Sequence, residues 1–446
     1  MQKDEYHHYI PRFILRNFAI DNYERIFSSN RKLFTQKQKF WKSKKKGESL
    51  QIYDRANDQL CISLIARIYG DINMYKDLNH NDAMRVEKKL SILEEKASKV
   101  VRDIIETSQM KSQIVLLRKD LADLRKFLFI MDYRKPSRRN QFADKRFDIV
   151  TGSMVENFMQ EHNLQSSQEV WLQNVREIID TPHEDVKDNT RIFVVDRMDY
   201  RLRMIDCFLA IWQAGENDEF IMTSNSFGLF EGINYDVPIQ VGGFGGPRQI
   251  AFHWFYVISP KLAVVLCASG FREGVGFEAL DKFLGFKHRS IFKNVSHPPP
   301  IPEYVGFKEP SKLRPESEFD KPFDFREFDN RFDWWANQSG LKKQDNDKFT
   351  FTFVKANSAT VHLVNSILLN EANPDLQLSF LSLPYLYKTI VKYYKNFKDN
   401  NFMPSQDFSK MKRTLFIALN KTHKEDLNLR RNILVCGKYW NLCKFE

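Results

Sequence analysis

The chain has 446 residues, 42% of them hydrophobic, and a formal charge of +11 with a pI near 9.2. That supplies one large core or two ordinary ones. No run of about eighteen apolar residues is present to suggest a membrane-spanning helix, and the polar opening Met1–Glu5 lacks the apolar stretch of a secretory signal, so a cytoplasmic or nuclear protein is expected.

Five cysteines, Cys61, Cys207, Cys267, Cys436 and Cys443, are scattered without any C-x-x-C pair. An odd, unframed set suits a reducing compartment and argues against a zinc motif of local spacing. With 38 phenylalanines the core is expected to be Phe-rich. The positive charge favours anionic partners. It is concentrated in Lys42–Lys46 and in Arg134–Arg139, runs that read first as solvated loops.

In chain order, Pro11–Phe18 opens a short helix, Pro being suited to a first helical position. Ile14, Leu15 and Phe18 share one face, with Arg12 and Arg16 on another. Ser28–Gly47 reads as a surface loop. Leu50–Tyr53 reads as a strand and Cys61–Ile68 as a strand or short helix. The strongest helix spans Asp82–Ile105, where Val86, Leu90, Leu93, Ala97, Val101 and Ile104 recur at spacings of three and four. A second is expected over Leu116–Tyr133, running into the basic cluster, whose cations complement the helix's negative end.

Further helices are expected at Met154–His162, Gln168–Ile179 and Arg197–Ala214. Phe220–Thr223, Val237–Val241, Ile250–Ile258 and Leu262–Cys267 then read as strands joined by antiparallel hairpins. The stretch Ser296–Phe349 begins with a polyproline-like segment and contains Trp334 and Trp335; it reads as a connector lying across the surface. Phe351–Val354 reads as a strand, and Thr360–Glu371 and Leu386–Phe397 as helices.

The candidate chemistry is sparse. His7 and His8 precede a helix N-terminus carrying Arg12 and Arg16, an arrangement that can bind phosphate or place a histidine as acid, base or metal ligand. Adjacent histidines in extended backbone point to opposite sides, so only one of them can face a given site. Thr223, Ser224 and Asn225 follow an apolar strand and could contact a ligand, or form an ordinary turn. Gly242–Pro247 lacks both the Lys-Ser/Thr ending of a phosphate loop and the setting of a dinucleotide fingerprint; it reads as a hairpin tip. Arg248 and His253 have an R-x-x-x-x-H spacing without the helix that would give it meaning. Metal motifs of local spacing are absent.

The opening HHYIPRFILRNF resembles that of the family catalogued as domain of unknown function 4238, whose members begin with His-Tyr-Ile/Val-Pro followed by Leu-Arg-x-Phe. The similarity continues through Tyr69-Gly70, Asn73-Met74-Tyr75, Ile92-Leu93-Glu94 and Phe129–Arg134. It extends to Phe220–Asn225, similar to the family's Thr-Ser-Asp-Asn-Pro strand end, and to Ile258-Ser259-Pro260 and Val364-Asn365. Asn225 stands where the family usually has Asp, and Ser226 and Phe227 replace Asn-Pro. The resemblance implies no established activity and no cofactor, and the lost Asp favours binding over catalysis.

These readings give an α+β protein with a helix-rich N-terminal half, a central antiparallel sheet and a C-terminal helical extension. Residues 1–290 form the main core, 291–350 the connector and 351–446 a C-terminal segment packed on the core. The leading expectation is an anion-binding pocket where His7 or His8, Arg12, Arg16, Arg134, Thr223, Ser224 and Asn225 converge on a nucleic-acid phosphate or a phosphorylated molecule. The alternatives are a hydrolase, possibly a nuclease, using His7 or His8, and an interaction protein without chemistry.

Overall fold

A computed structural model describes residues 6–20, 48–75, 85–237, 246–273, 289–306, 314–317, 342–372, 377–399 and 406–431. The expected loop 28–47 with its lysine run, the strand residues 238–241, residues 242–245 of the expected hairpin tip, Trp334, Trp335, Cys436 and Cys443 lie outside them.

Strand β1 (Tyr6–His8) leads into helix α1 (Arg12–Leu15), and β2 (Ser49–Asp54), β3 (Gln59–Leu64) and β4 (Gly70–Ile72) follow. The ambiguous segment after Cys61 resolves into both alternatives, a strand to Leu64 and then a 3-10 turn, Ile65–Arg67. Helix α2 (Arg85–Met110) buries Val86, Leu90, Leu93, Ala97, Val101 and Ile104, the stripe that the sequence periodicity marks. The next expected helix divides: Gln113–Leu117 is strand β5, and α3 is Arg118–Tyr133. Helices α4 (Pro136–Ala143), α5 (Ile149–Glu161), α6 (Ser167–Asp180) and α7 (Val194–Tyr200) complete the helical layer.

The helix expected over Arg197–Ala214 needs correction. Helix α7 ends at Tyr200, a π-helical turn covers Arg201–Ile205, and Phe208–Ala214 is strand β6. An unbroken apolar run carries no period, so pattern alone cannot distinguish a doubly covered strand from a buried helix. Strands β7 (Met222–Thr223), β8 (Phe227–Val237), β9 (Gly246–Ser259), β10 (Leu262–Cys267), β11 (Ile301–Glu303), β12 (Lys348–Ala356) and β13 (Gln377–Phe380) follow, with helices α8 (Ser358–Asn370), α9 (Leu383–Asp399) and α10 (Ser409–Arg431).

The large sheet has the order β11-β12-β6-β10-β9-β8, with β5 also on β12. It is mixed rather than wholly antiparallel: Phe353–Ala356 of β12 runs parallel to Ile211–Ala214 of β6. A four-stranded sheet, β3-β2-β13-β7, and the pair β1-β4 complete the strands. No helix among the described residues is long and apolar enough to cross a membrane.

Polar ties join distant parts of this frame. Glu219, buried between β6 and β7, accepts the backbone N–H groups of Leu381 at 3.2 Å and Ser382 at 3.1 Å, so one carboxylate caps the chain entering α9. Burial pushes its carboxyl up to about 7 despite these donors. The raised value means the folded state favours the protonated acid. Stability from this group is therefore full below its unfolded value of about 4.3 and declines as pH rises through about 7. Replacing Glu219 with Gln is expected to flatten the pH dependence of unfolding free energy between about pH 5 and about pH 8. Urea titrations across that range read the slope.

Candidate functional site

The N-terminal motif is built into the scaffold. His7 and His8 pair with Asp71 and Gly70 across β1 and β4. The His7 ring lies buried against Tyr75, centroids 5.5 Å apart. His8 Nε2 is 2.9 Å from the Ile65 carbonyl, and burial, the largest influence, lowers its pKa. Arg12 is exposed. Arg16 donates from Nε to both oxygens of Glu48 at 2.8 and 2.9 Å on the surface. Arg134 is buried; its Nε donates to the Tyr9 carbonyl at 3.0 Å and its Nη1 pairs with Glu94 at 2.7 Å.

The Thr-Ser turn is likewise structural. Thr223 N–H donates to Ser226 Oγ at 2.6 Å, and Asn225 Nδ2 donates to the Glu371 carbonyl at 2.7 Å. The two motifs are nevertheless tied, through Tyr69. Tyr9 N–H donates to the Tyr69 carbonyl at 2.9 Å. The Tyr69 hydroxyl sits 3.2 Å from the Met222 carbonyl, at the strand that carries Thr223, and 3.0 Å from Ser379 Oγ. Convergence of the eight residues on one open pocket, expected from their types, is not seen: Arg16 and Arg134 are taken up by Glu48, Glu94 and a carbonyl, Arg12 stands exposed, and the turn bonds within itself and to Glu371.

A cavity of about 600 Å³ opens elsewhere, and none of those eight residues lines it. Its charged wall begins at the end of α3 with Asp132. Pro136 forces Lys135 into extended backbone, φ −63° and ψ 152°, which ends the helical run. Lys135 thereby turns back onto Asp132, three residues earlier. The π-helical turn brings Arg203 between Asp132 and Asp199, pairing with both; such turns recur at functional sites. Arg138, from α4, pairs with buried Asp196. Three carboxylates (Asp132, Asp199, Asp206) and three cations (Lys135, Arg138, Arg203) thus line the cavity. For Asp132, burial would raise the carboxyl, but Lys135 and Arg203 together hold it below the ordinary value.

The opposite wall is aromatic. Phe230 of β8 and Trp254 of β9 are cross-strand partners and both line the space. Gly228 makes room for the charges: its φ is +74°, and a Cβ there would collide with the Asp132 carboxylate. Cys207 also lines the cavity, its thiol pushed up to about 12 by burial, which leaves it inert as a nucleophile. Among the described residues no histidine lines the cavity. Groups able to hold a metal stand elsewhere: His253 and Cys267 on strands β9 and β10 of the same sheet, and His297 on the segment before β11.

Sequence reasoning missed this cavity because its walls come from five separated segments. Only the basic run 134–139 and the Phe129–Arg134 segment drew notice. The proline within the basic run was the one available signal that the helix must turn there.

These features define an α+β protein with a charged, aromatic-walled cavity where a helical layer meets a mixed sheet. Residues 6–377 match the family described as protein of unknown function, DUF4238, and the chain belongs to that family. No curated protein and no solved structure matches it.

Gly228→Ala is expected to cost at least about 2 kcal/mol, combining a left-handed backbone position with a collision at a buried carboxylate. Denaturant unfolding measures it, and a Gly228→Ala protein of unchanged stability would contradict the close approach.

Proposed function

We propose that the cavity binds a small phosphorylated molecule with a planar ring, of the size of a mononucleotide. The supporting observation is the convergence of Lys135, Arg138 and Arg203 with the Phe230–Trp254 pair on one space of about 600 Å³, within the usual range for small-molecule sites. Lys135 and Arg138 are only partly buried, so they can take an incoming phosphate by charge-assisted hydrogen bonds. Trp254 offers a face for stacking. Asp199 and Asp206 can accept from donor groups on the ring or sugar. A polynucleotide exceeds the space, so nucleic acid ranks behind a small ligand.

Binding is proposed ahead of hydrolysis because the described lining residues include no histidine. The anion-binding expectation therefore passes from the N-terminal motif to this cavity. A reducing setting, cytoplasmic or nuclear, belongs to the same proposal and is supported by the free thiols of Cys61, Cys207 and Cys267.

Calorimetric titration with nucleoside phosphates, sugar phosphates and a short RNA tests the reading. At least one phosphorylated small molecule is expected to bind, with affinity falling roughly tenfold or more in Lys135→Ala and Trp254→Ala, in line with loss of a charged hydrogen bond or a stacking face. Arg12→Ala and Arg16→Ala are expected to leave binding unchanged. Absence of binding across the panel, or equal affinity in the cavity variants, would sink the proposal.

A further inference from the structure

Adjacent residues of a strand face opposite sides, so the strands that present Phe230 and Trp254 to the cavity turn Glu231 and His253 the other way. There His253 meets Cys267, its cross-strand partner on β10, and His297, which arrives on the extended segment before Pro298. The ligand atoms of the three all lie within 4.8 Å of one another, and each residue is at most 1% exposed. The two imidazoles stack, centroids 5.2 Å apart. Trp212, Phe271 and Phe292 pack around them.

The decisive detail is on His253. Its Nδ1 lies 2.9 Å from Glu231 Oε2, and a carboxylate can only accept, so Nδ1 carries a proton. That leaves Nε2 as the coordinating nitrogen, and Nε2 is buried with no hydrogen-bond partner. Glu231 is itself held, accepting from Ser290 Oγ at 3.2 Å and from the Ile291 N–H at 3.0 Å. A histidine that donates one nitrogen to an anchored carboxylate and leaves the other unpartnered beside further donors is the usual outer arrangement of a metal ligand.

We propose that His253, Cys267 and His297 bind one zinc ion, with Glu231 as the positioning residue for His253. Two imidazole nitrogens and one sulfur suit this ion. Binding converts the Cys267 thiol to a thiolate and releases its proton to solvent, both histidines staying neutral at the metal. The formal charges of zinc, thiolate and the Glu231 carboxylate then cancel, as burial demands. Tetrahedral bonds of about 2.0–2.3 Å place donors about 3.3–3.6 Å apart, so donors spread over 4.8 Å need move inward by about an ångström. The fourth position falls to a water or an outside ligand. The absence of zinc spacing in the sequence is no obstacle, since the pairing of β9 with β10 and the packing of the segment around His297 assemble the set, and not local spacing. The ion would brace β8, β9 and β10 behind the cavity, independently of what the cavity binds.

Metal analysis of the full-length protein, purified without chelator, is expected to find one zinc per chain. Zinc is expected to be lost in Cys267→Ala and His297→Ala and retained in Cys207→Ala, a buried thiol outside the set. To separate loss of metal from loss of fold, cobalt(II) added to chelator-treated wild-type protein is expected to give a thiolate-to-cobalt charge-transfer band saturating at one equivalent. A Cys267→Ser protein with wild-type circular dichroism is expected to lack that band. Wild-type protein with neither stoichiometric zinc nor the cobalt band would overturn the proposal, as would a band that persists in Cys267→Ser. Copper at one equivalent in place of zinc would overturn the choice of ion.

Discussion

Helix α3 carries charge through the middle of the molecule, and each buried charge along it must be met. Arg118, Arg125, Lys126 and Asp132 are all buried on this one helix, and Arg134 is buried at its C-cap. Arg118 donates to the carbonyls of Arg314 and Pro315 and pairs with Asp347. Arg125 reaches Glu316 and the Met204 and Cys207 carbonyls, while Lys126 donates to the Ile179 carbonyl. Arg134 takes Glu94 and the Tyr9 carbonyl. Leaving one such charge unpaired costs about 3–5 kcal/mol. The helix therefore dictates where the N-terminal strand, the turn after α6, the π-helical turn and the segment around Arg314 must lie. Hydrophobic burial supplies most of the folding free energy, but these pairings select one arrangement.

The cavity sits where that pairing meets open space. Asp132, near the end of α3, is satisfied by Lys135 and Arg203, and these in turn lie beside Arg138, Asp199 and Asp206. A wall of matched charges of both signs is already organised, so a ligand can exchange partners with it without large rearrangement. The β8–β9 ribbon forms the other wall and has two chemically different faces, aromatic toward the cavity and Glu231 with His253 behind, where Cys267 and His297 meet them. A brace on the rear face would hold Phe230 and Trp254 in place.

Much of the helical layer was legible in the sequence, because surface-packed helices such as α2 alternate charged and apolar residues. Strand β6 was not, since Phe208–Trp212 is an unbroken apolar run buried on both faces. The basic run was legible as charge but not as structure: its partners, Glu94, Asp196 and Asp71, are distant in sequence. The N-terminal segment is held by backbone hydrogen bonds and tied to the Thr223 strand through the Tyr69 hydroxyl, which residue types do not reveal. The metal-competent set was hidden for the same reason, each member being an isolated residue until the strands pair.

Strand β12 has a consequence for the order in which the chain can fold. Its first half pairs with β5 and β11 and its second half with β6, and 239 residues separate Gln113 from Thr352. While the chain is being made, β5 and one edge of β6 must wait, unpaired, for a segment that leaves the ribosome much later. Open apolar edges of this kind are templates for wrong pairing, so a nascent chain has to be shielded until residue 356 has emerged. The large sheet is thus closed only after its β12 segment has been made.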